Sequence, residues 1–240
     1  MRTVFTLIKK IYNMTVVAIA TIIFGSSTIV CSFRFFSPSQ LNIFARMWSW
    51  VLLRFNGVKV KVENVESVDF SQSMILMTNH RSLLDIPALM SSTKQHLRFV
   101  VKSELRKIPI FGYSVYRLDM VFVDRNNHTE AKKSMDLAAE KVQKGGVVLV
   151  FPEGVRSKPD EPMNPLKKGG FHLVLQSRVP IQTAVVLESE RVLPKGASMI
   201  TPGTIIVRYG RCIEVNDEST IDSLMQEFSA EMDRLLEMAE

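Results

Sequence analysis

The sequence predicts an α/β fold with a mixed, mostly parallel central sheet flanked by helices, preceded by an N-terminal membrane-associated helical segment. Three observations carry this. From Gly57 onward, short β-rich runs alternate with runs of helical period, the order that lays helices over a sheet. Ahead of them, Ile11 to Phe33 holds no charged side chain over 23 residues. No internal repeat, low-complexity tract or Gly/Ser linker divides the chain after that run, so residues 1–56 read as membrane-anchoring helices and 57–240 as one catalytic domain.

The apolar run "IYNMTVVAIATIIFGSSTIVCSF" would extend roughly 34 Å as a helix, enough to cross the hydrocarbon of a bilayer. A cleaved leader is the competing reading, but the run is long for one and no small-x-small cleavage site leads into an obviously mature domain. Arg2, Lys9 and Lys10 precede it and Arg34 succeeds it, so charge does not decide between spanning and re-entering. The next segment, Leu41 to Phe55, is amphipathic and carries Trp48, Trp50, Arg46 and Arg54. That composition suits a helix at a lipid interface and equally one packed on a core.

Strands are expected at "VKVKVEN", "MILMT", "RFVV", "MVFVD", "VVLVF", "IQTAVV" and "TIIVRYG" followed by "RCIEV". Helices are expected over 82–92, 128–144, 165–177 and 220–239. The last has Ile221, Leu224, Met225, Phe228, Met232, Leu235 and Leu236 on one face. "KGG" at 144–146 should stop a helix before a buried strand. Ser82 and Asp85 have the spacing of a capping box opening the helix that ends at Ser92.

A net charge of +6 favours anionic partners such as phosphates or acidic lipid surfaces. Nucleic acid fits the charge, but no nucleic-acid motif or interleaving of aromatic and basic residues is present. Two cysteines, Cys31 and Cys212, suggest no disulfide framework, which points to a cytosolic catalytic part. No His/Cys cluster has metal-ligand spacing, and no bound cofactor is expected.

Four strand ends carry polar residues: Asn79-His80 with Asp85, Lys102, Asp124-Arg125, and "FPEGVRS" at 151–157. A histidine at such a corner is a candidate general base if an acceptor holds its other nitrogen. Asp85 can be that acceptor only if His80 precedes the helix, because helical residues five apart diverge by about 140°. Base catalysis of this kind needs no serine when the substrate supplies the hydroxyl, and helix-start N–H groups could hold a developing oxyanion. Each residue also has a plainer reading. A strand-end histidine is often only a hydrogen-bonded surface group, Arg125, Arg156 and Lys102 can be solvated charges, and Glu153 an ordinary turn residue. Their recurrence at successive strand ends, cations suited to a phosphate beside a base suited to a hydroxyl, favours chemistry.

"NHRSLLD" resembles the Asn-His-x4-Asp signature of the glycerolipid acyltransferase superfamily, and "FPEGVRS" resembles its Phe-Pro-Glu-Gly-Thr-Arg-Ser block. "VKSELRKIPIFG", "VFVDRNN" and "VPIQTAV" resemble further blocks, so the likeness covers about residues 57–210 and is nearest to bacterial 1-acyl-sn-glycerol-3-phosphate acyltransferases. That resemblance implies His80 as general base and Asp85 as its orienting carboxylate. It implies Arg125, Glu153, Gly154 and Arg156 as residues positioning the glycerol phosphate, with Arg156 and Lys102 as the phosphate contacts. It further implies a lysophospholipid acceptor, an acyl-CoA or acyl-carrier protein donor, and work on a bilayer at the cytoplasmic face of a bacterial inner membrane. Two departures stand out: Val155 replaces the usual threonine, and Thr183 stands where a proline is common. These bear on the choice of acceptor, leaving glycerol 3-phosphate or a lyso-ornithine lipid as alternatives. A thioesterase or lipase is a further alternative, although the chain lacks a G-x-S-x-G elbow. A membrane-bound anion-binding module without catalysis is a third.

Overall fold

The computed structural model describes residues 2–34, 36–124, 127–158 and 161–238. In order the elements are α1 (Arg2–Ser32), α2 (Pro38–Phe55), β1 (Val58–Glu63), β2 (Met74–Thr78), α3 (Asp85–Ser92), β3 (Leu97–Lys102), α4 (Phe111–Arg117), β4 (Val121–Val123), α5 (His128–Gln143), β5 (Val147–Val150), α6 (Lys168–Ser177), β6 (Ile181–Leu187), α7 (Ser189–Val192), β7 (Gly203–Ile213) and α8 (Ile221–Glu237).

Seven strands form one sheet in the order β1-β7-β6-β2-β5-β3-β4. Only β6 and β7 pair antiparallel, so β6, β2, β5, β3 and β4 present their C-terminal ends along a single edge. Strand β2 shows why the sheet is covered on both sides. Met74 and Leu76 enter one core with Leu53 of α2 and Leu89 of α3. Ile75 and Met77 enter the other with Val142 of α5, Phe171 of α6 and Phe228 of α8. Side chains alternate across a strand, so an all-apolar strand needs two apolar layers.

Helix α2 packs one face of its amphipathic sequence on the core and leaves the opposite face open. Leu41, Ala45, Leu52 and Leu53 are buried in the core, while Ile43, Met47 and Trp50 are exposed. Helix α1 packs against it: the Trp48 indole N–H donates to Thr21 Oγ1 at 3.1 Å, and the Tyr12 hydroxyl donates to the Phe55 carbonyl at 2.8 Å. Asn13, a polar residue within the apolar run, bonds Asn56 and accepts from the Ile200 N–H at 3.0 Å. Among the described residues α1 is the one helix long and apolar enough to cross a membrane, over Val4–Ser32, with Phe5, Ile8, Ile11, Met14, Ile22, Ile23 and Val30 exposed.

Several boundaries differ from the sequence expectation. "TIIVRYG" and "RCIEV" belong largely to one strand, β7, which runs unbroken to Ile213. It bends through a register shift opposite Gln182–Ala184, where the Thr183 hydroxyl donates to the Arg211 carbonyl and the Gln182 amide to that of Gly210, both at 2.7 Å. Helix α6 begins at Lys168 rather than Pro165: Lys167 is still extended, at φ −104° and ψ 139°, with its N–H donating to the Pro152 carbonyl at 2.9 Å. Helices α4 and α7 have no counterpart in the sequence expectation; at seven and four residues they are too short to display a period. The stop at "KGG" is as expected: α5 ends at Gln143, and Gly145 and Gly146 take φ of 111° and 108°.

Just before α4, Ile110 adopts φ 62°, ψ −58°, with the Phe111 N–H donating to the Pro109 carbonyl at 2.6 Å. This is a γ-turn of the strained hand, rare for a β-branched residue. Its side chain lies against Gly25 of α1, where a Cβ would come within 2.7 Å of Ile110 Cγ2.

Candidate active site

The site grows from the point where β2 leaves the sheet. Asn79 is fully buried, and its side-chain amide behaves as a substitute peptide. Nδ2 donates to the Val186 carbonyl at 3.0 Å, and Oδ1 accepts from the Val186 N–H at 2.8 Å. The β2–β6 ladder thus continues for one more rung through a side chain, while the main chain turns away. His80 is the first residue free of the sheet.

His80 Nδ1 lies 2.8 Å from Asp85 Oδ2. The same oxygen accepts from the Arg81 N–H at 2.8 Å and the Ser82 N–H at 2.9 Å. Two backbone donors fix Oδ2 as an acceptor, so Nδ1 carries the hydrogen and Nε2 presents a lone pair. Nε2 has no partner among the described residues, and the side chain is 15% exposed. The imidazole stacks on Phe151, centroids 4.0 Å apart and planes 17° from parallel. Phe151 thereby fixes the ring plane and Asp85 its rotation.

The capping box expected at Ser82 is only half formed. Helix α3 starts at Asp85, three residues later, with Leu84 in the cap position. Asp85 does reach back to the Ser82 N–H, but the Ser82 hydroxyl donates to the Leu193 carbonyl at 2.8 Å and accepts from the Leu84 N–H at 3.2 Å. Of the N–H groups ahead of the helix, those of Arg81 and Ser82 are committed to Asp85, which removes these two as oxyanion donors.

"FPEGVRS" closes around His80 from the neighbouring strand β5. Glu153 is fully buried; Oε1 accepts from the His80 N–H and Oε2 from the Asn164 N–H, each at 2.6 Å. Burial pushes the Glu153 carboxyl above the ordinary glutamate value, opposed by the backbone N–H groups of Asn164 and His80. On the other side, the Ser157 N–H donates to the His80 carbonyl at 2.7 Å. His80 is therefore held at N–H, C=O, Nδ1 and ring face. Gly154 has φ 73°, and Lys167 lies across it with Cδ 3.1 Å from where a Cβ would be. That backbone turn aims Glu153 inward.

The remaining candidates are spread along the same edge. Arg156 comes after the turn, half-buried, its guanidinium without a partner among the described residues; its carbonyl accepts from Lys195 Nζ at 2.6 Å. Lys102 ends β3, where the register puts it level with Pro152 and Asn79, two strands from β2 or roughly 10 Å. It is half-exposed and paired with Glu104 at 2.8 Å. Arg125 lies outside the described residues. Glu153, which the resemblance implies as one of the residues positioning the glycerol phosphate, has no exposed surface and both oxygens taken by backbone N–H groups, so it does not touch a headgroup directly.

Sequence reasoning missed Phe151 as a ring support, Asn164 as the second donor to Glu153, and the Arg81–Glu190 ion pair at 2.9 Å. Only Phe151 left a trace, as the aromatic opening "FPEG" directly after an apolar strand. Beside Arg81 a cleft of about 800 Å³ opens between the end of β6, α7 and the last turn of α8.

Comparison with known proteins agrees with this architecture. The crystal structure of PlsC, the 1-acyl-sn-glycerophosphate (LPA) acyltransferase of Thermotoga maritima, superposes with a TM-score of 0.85 over 100% of this chain and 98% of that one, at 23% identity, a likeness of fold. An uncharacterized acyltransferase of Schizosaccharomyces pombe is 38% identical over 125 residues, 51% of this chain and 45% of that protein. The 1-acyl-sn-glycerol-3-phosphate acyltransferase of Saccharomyces cerevisiae is 33% identical over 168 residues, 69% and 55% respectively. The chain thus spans about half the length of these curated relatives. The family model described as Acyltransferase matches residues 59–187, more than half of the chain and the stretch that holds both His80 with Asp85 and the loop clasping them. By that match, the chain belongs to the Acyltransferase family.

Proposed function

We propose that the protein transfers a fatty acyl group from a thioester, acyl-CoA or acyl-carrier protein, to the sn-2 hydroxyl of 1-acyl-sn-glycerol 3-phosphate, giving phosphatidic acid at a membrane surface. The names of relatives from Saccharomyces cerevisiae, Cocos nucifera and Helicobacter pylori support the acceptor. The observation that carries the reading is the oriented imidazole: Nδ1 fixed on Asp85, Nε2 open, and the backbone pinned by Glu153 and Ser157.

In this reading Nε2 removes the hydroxyl proton as the oxygen attacks the thioester carbonyl, and Asp85 compensates the charge that develops on the ring. The tetrahedral intermediate collapses with cleavage of the C–S bond, and the imidazolium returns its proton to the leaving sulfur. No covalent acyl-enzyme forms. Arg156, with Lys102 across the edge, holds the acceptor phosphate; Arg125 belongs to the same group by its place in the sequence. Glu153 positions His80 rather than touching the headgroup, and Gly154 supplies the turn that makes this possible.

The test is transfer of radiolabelled acyl groups in purified membranes across several lyso-acceptors. His80→Ala is expected to lower transfer about 10²- to 10⁴-fold with the fold retained. Wild-type indifference to the acceptor phosphate would sink the assigned acceptor. Free fatty acid as the main product would mark a hydrolase instead.

A further inference from the structure

A second cleft, of about 370 Å³, lies away from His80, near the turn that joins α1 to α2. Asp119, in its lining, is bound by Arg98 at 2.8 Å, and Arg98 stands level with Ile75 in the sheet. His80 is five residues further along, roughly 16 Å in the strand direction. Phe122 of β4, also in the lining, stands level with Val101 and three strands from β2, so the cleft is set apart from His80 across the sheet, by roughly 14 Å.

Its lining joins cations to aromatic rings. Arg106 sits 5.2 Å over the Tyr116 ring and 5.7 Å from that of Phe122, with no carboxylate partner among the described residues. Arg117 donates to the Ser32 carbonyl at 2.9 Å and lies 5.5 Å over Phe33. Lys141 pairs with Asp119 at 2.6 Å. Three cations thus line the cleft beside one carboxylate, Asp119, which is already taken by Lys141 and Arg98, and positive charge is left over. A guanidinium held by its face against rings keeps its N–H edges for an anion, and a phosphate fits that fork. Position supplies the second half of the case. The exposed rings of Phe33 and Phe36, and the exposed Tyr116, stand where the apolar span of α1 ends. In a bilayer-seated helix that level is the headgroup layer, where arginine and aromatic side chains gather.

We propose that this cleft binds the phosphate of an anionic membrane phospholipid that is not the substrate, anchoring the α1–α2 turn to acidic bilayers. The proposal rests on membrane attachment through α1, not on the identity of the acyl acceptor.

The test uses the full chain with phosphatidylcholine vesicles, with and without added phosphatidylglycerol. Wild type should sediment preferentially with the anionic vesicles, and Arg106→Gln should reduce that preference roughly fivefold. Lys168→Gln, on α6 beside Asp222 of α8, should leave it unchanged. Activity of Arg106→Gln in detergent micelles should equal that of wild type. Equal losses for Arg106→Gln and Lys168→Gln would overturn the proposal in favour of diffuse attraction. Loss of micellar activity in Arg106→Gln would overturn it in favour of a structural role. A rise in melting temperature with inorganic phosphate alone, abolished in Arg106→Gln, would reassign the site to free phosphate. Failure of the acyl-acceptor assignment would leave all these outcomes unaffected.

Discussion

At the scale of single residues, the site separates groups that could touch a substrate from groups that hold the base. Glu153→Gln keeps the shape but sets an NH2 group against one of two backbone N–H donors. It is expected to lower kcat by one to two orders of magnitude, on the order of 2 kcal/mol, while leaving the acceptor KM unchanged. Arg156→Gln should do the reverse, raising the acceptor KM with a smaller effect on kcat. Steady-state kinetics on the two variants separates positioning from contact.

His96 shows the opposite use of an imidazole. Its Nε2 donates to the Leu118 carbonyl at 2.8 Å, and burial lowers its pKa to about 4, helped by the charge of Arg98. The folded protein keeps this ring neutral, so the unfolded chain takes up the extra proton. Its contribution is complete above about pH 6.5 and is lost as pH falls toward about 4, a span worth roughly 3 kcal/mol. Denaturant melts of wild type and His96→Gln should diverge less in acid than at neutral pH.

At the scale of elements, the β2–β6 junction depends on one side chain. Asn79→Ala would strip the Val186 N–H and C=O of their partners inside the sheet and should cost about 1–3 kcal/mol in a thermal or denaturant melt. The need for a residue at this corner was legible in the sequence, because "MILMT" is a strand and "NH" breaks it. That the asparagine belongs to the ladder was not, since the pairing reaches 107 residues along the chain. The same division runs through the fold. Long periodic segments such as α5 and α8 announced themselves, and so did the strands of continuous apolar character. Ser82 misled because a local spacing predicted a cap, whereas a distant carbonyl, that of Leu193, claimed the hydroxyl. Glu153 misled in the other direction: its motif marks the site correctly, but only three-dimensional packing reveals that its carboxylate is turned inward.

At the scale of the whole molecule, the exposed apolar surface of α1 is the feature on which the proposed membrane attachment rests. Ile23 is exposed in the middle of the span and Ala20 is buried against the protein. Ile23→Arg should move the protein from the membrane to the soluble fraction of a lysate, because a mid-span charge costs about 2.5–3.5 kcal/mol in a spanning helix. Ala20→Val, by contrast, should disturb packing while leaving partition intact.

Gly25 is the sole glycine of that apolar helix, and its missing side chain leaves the gap into which the unfavourable turn at Ile110 is wedged. Lys102 stands only eight residues upstream of that turn. As the proposed anchor, α1 is therefore more than a generic tether. A chimaera with an unrelated hydrophobic helix would still find the bilayer, yet it would be expected to release the wedge and unsettle the lysine-bearing segment.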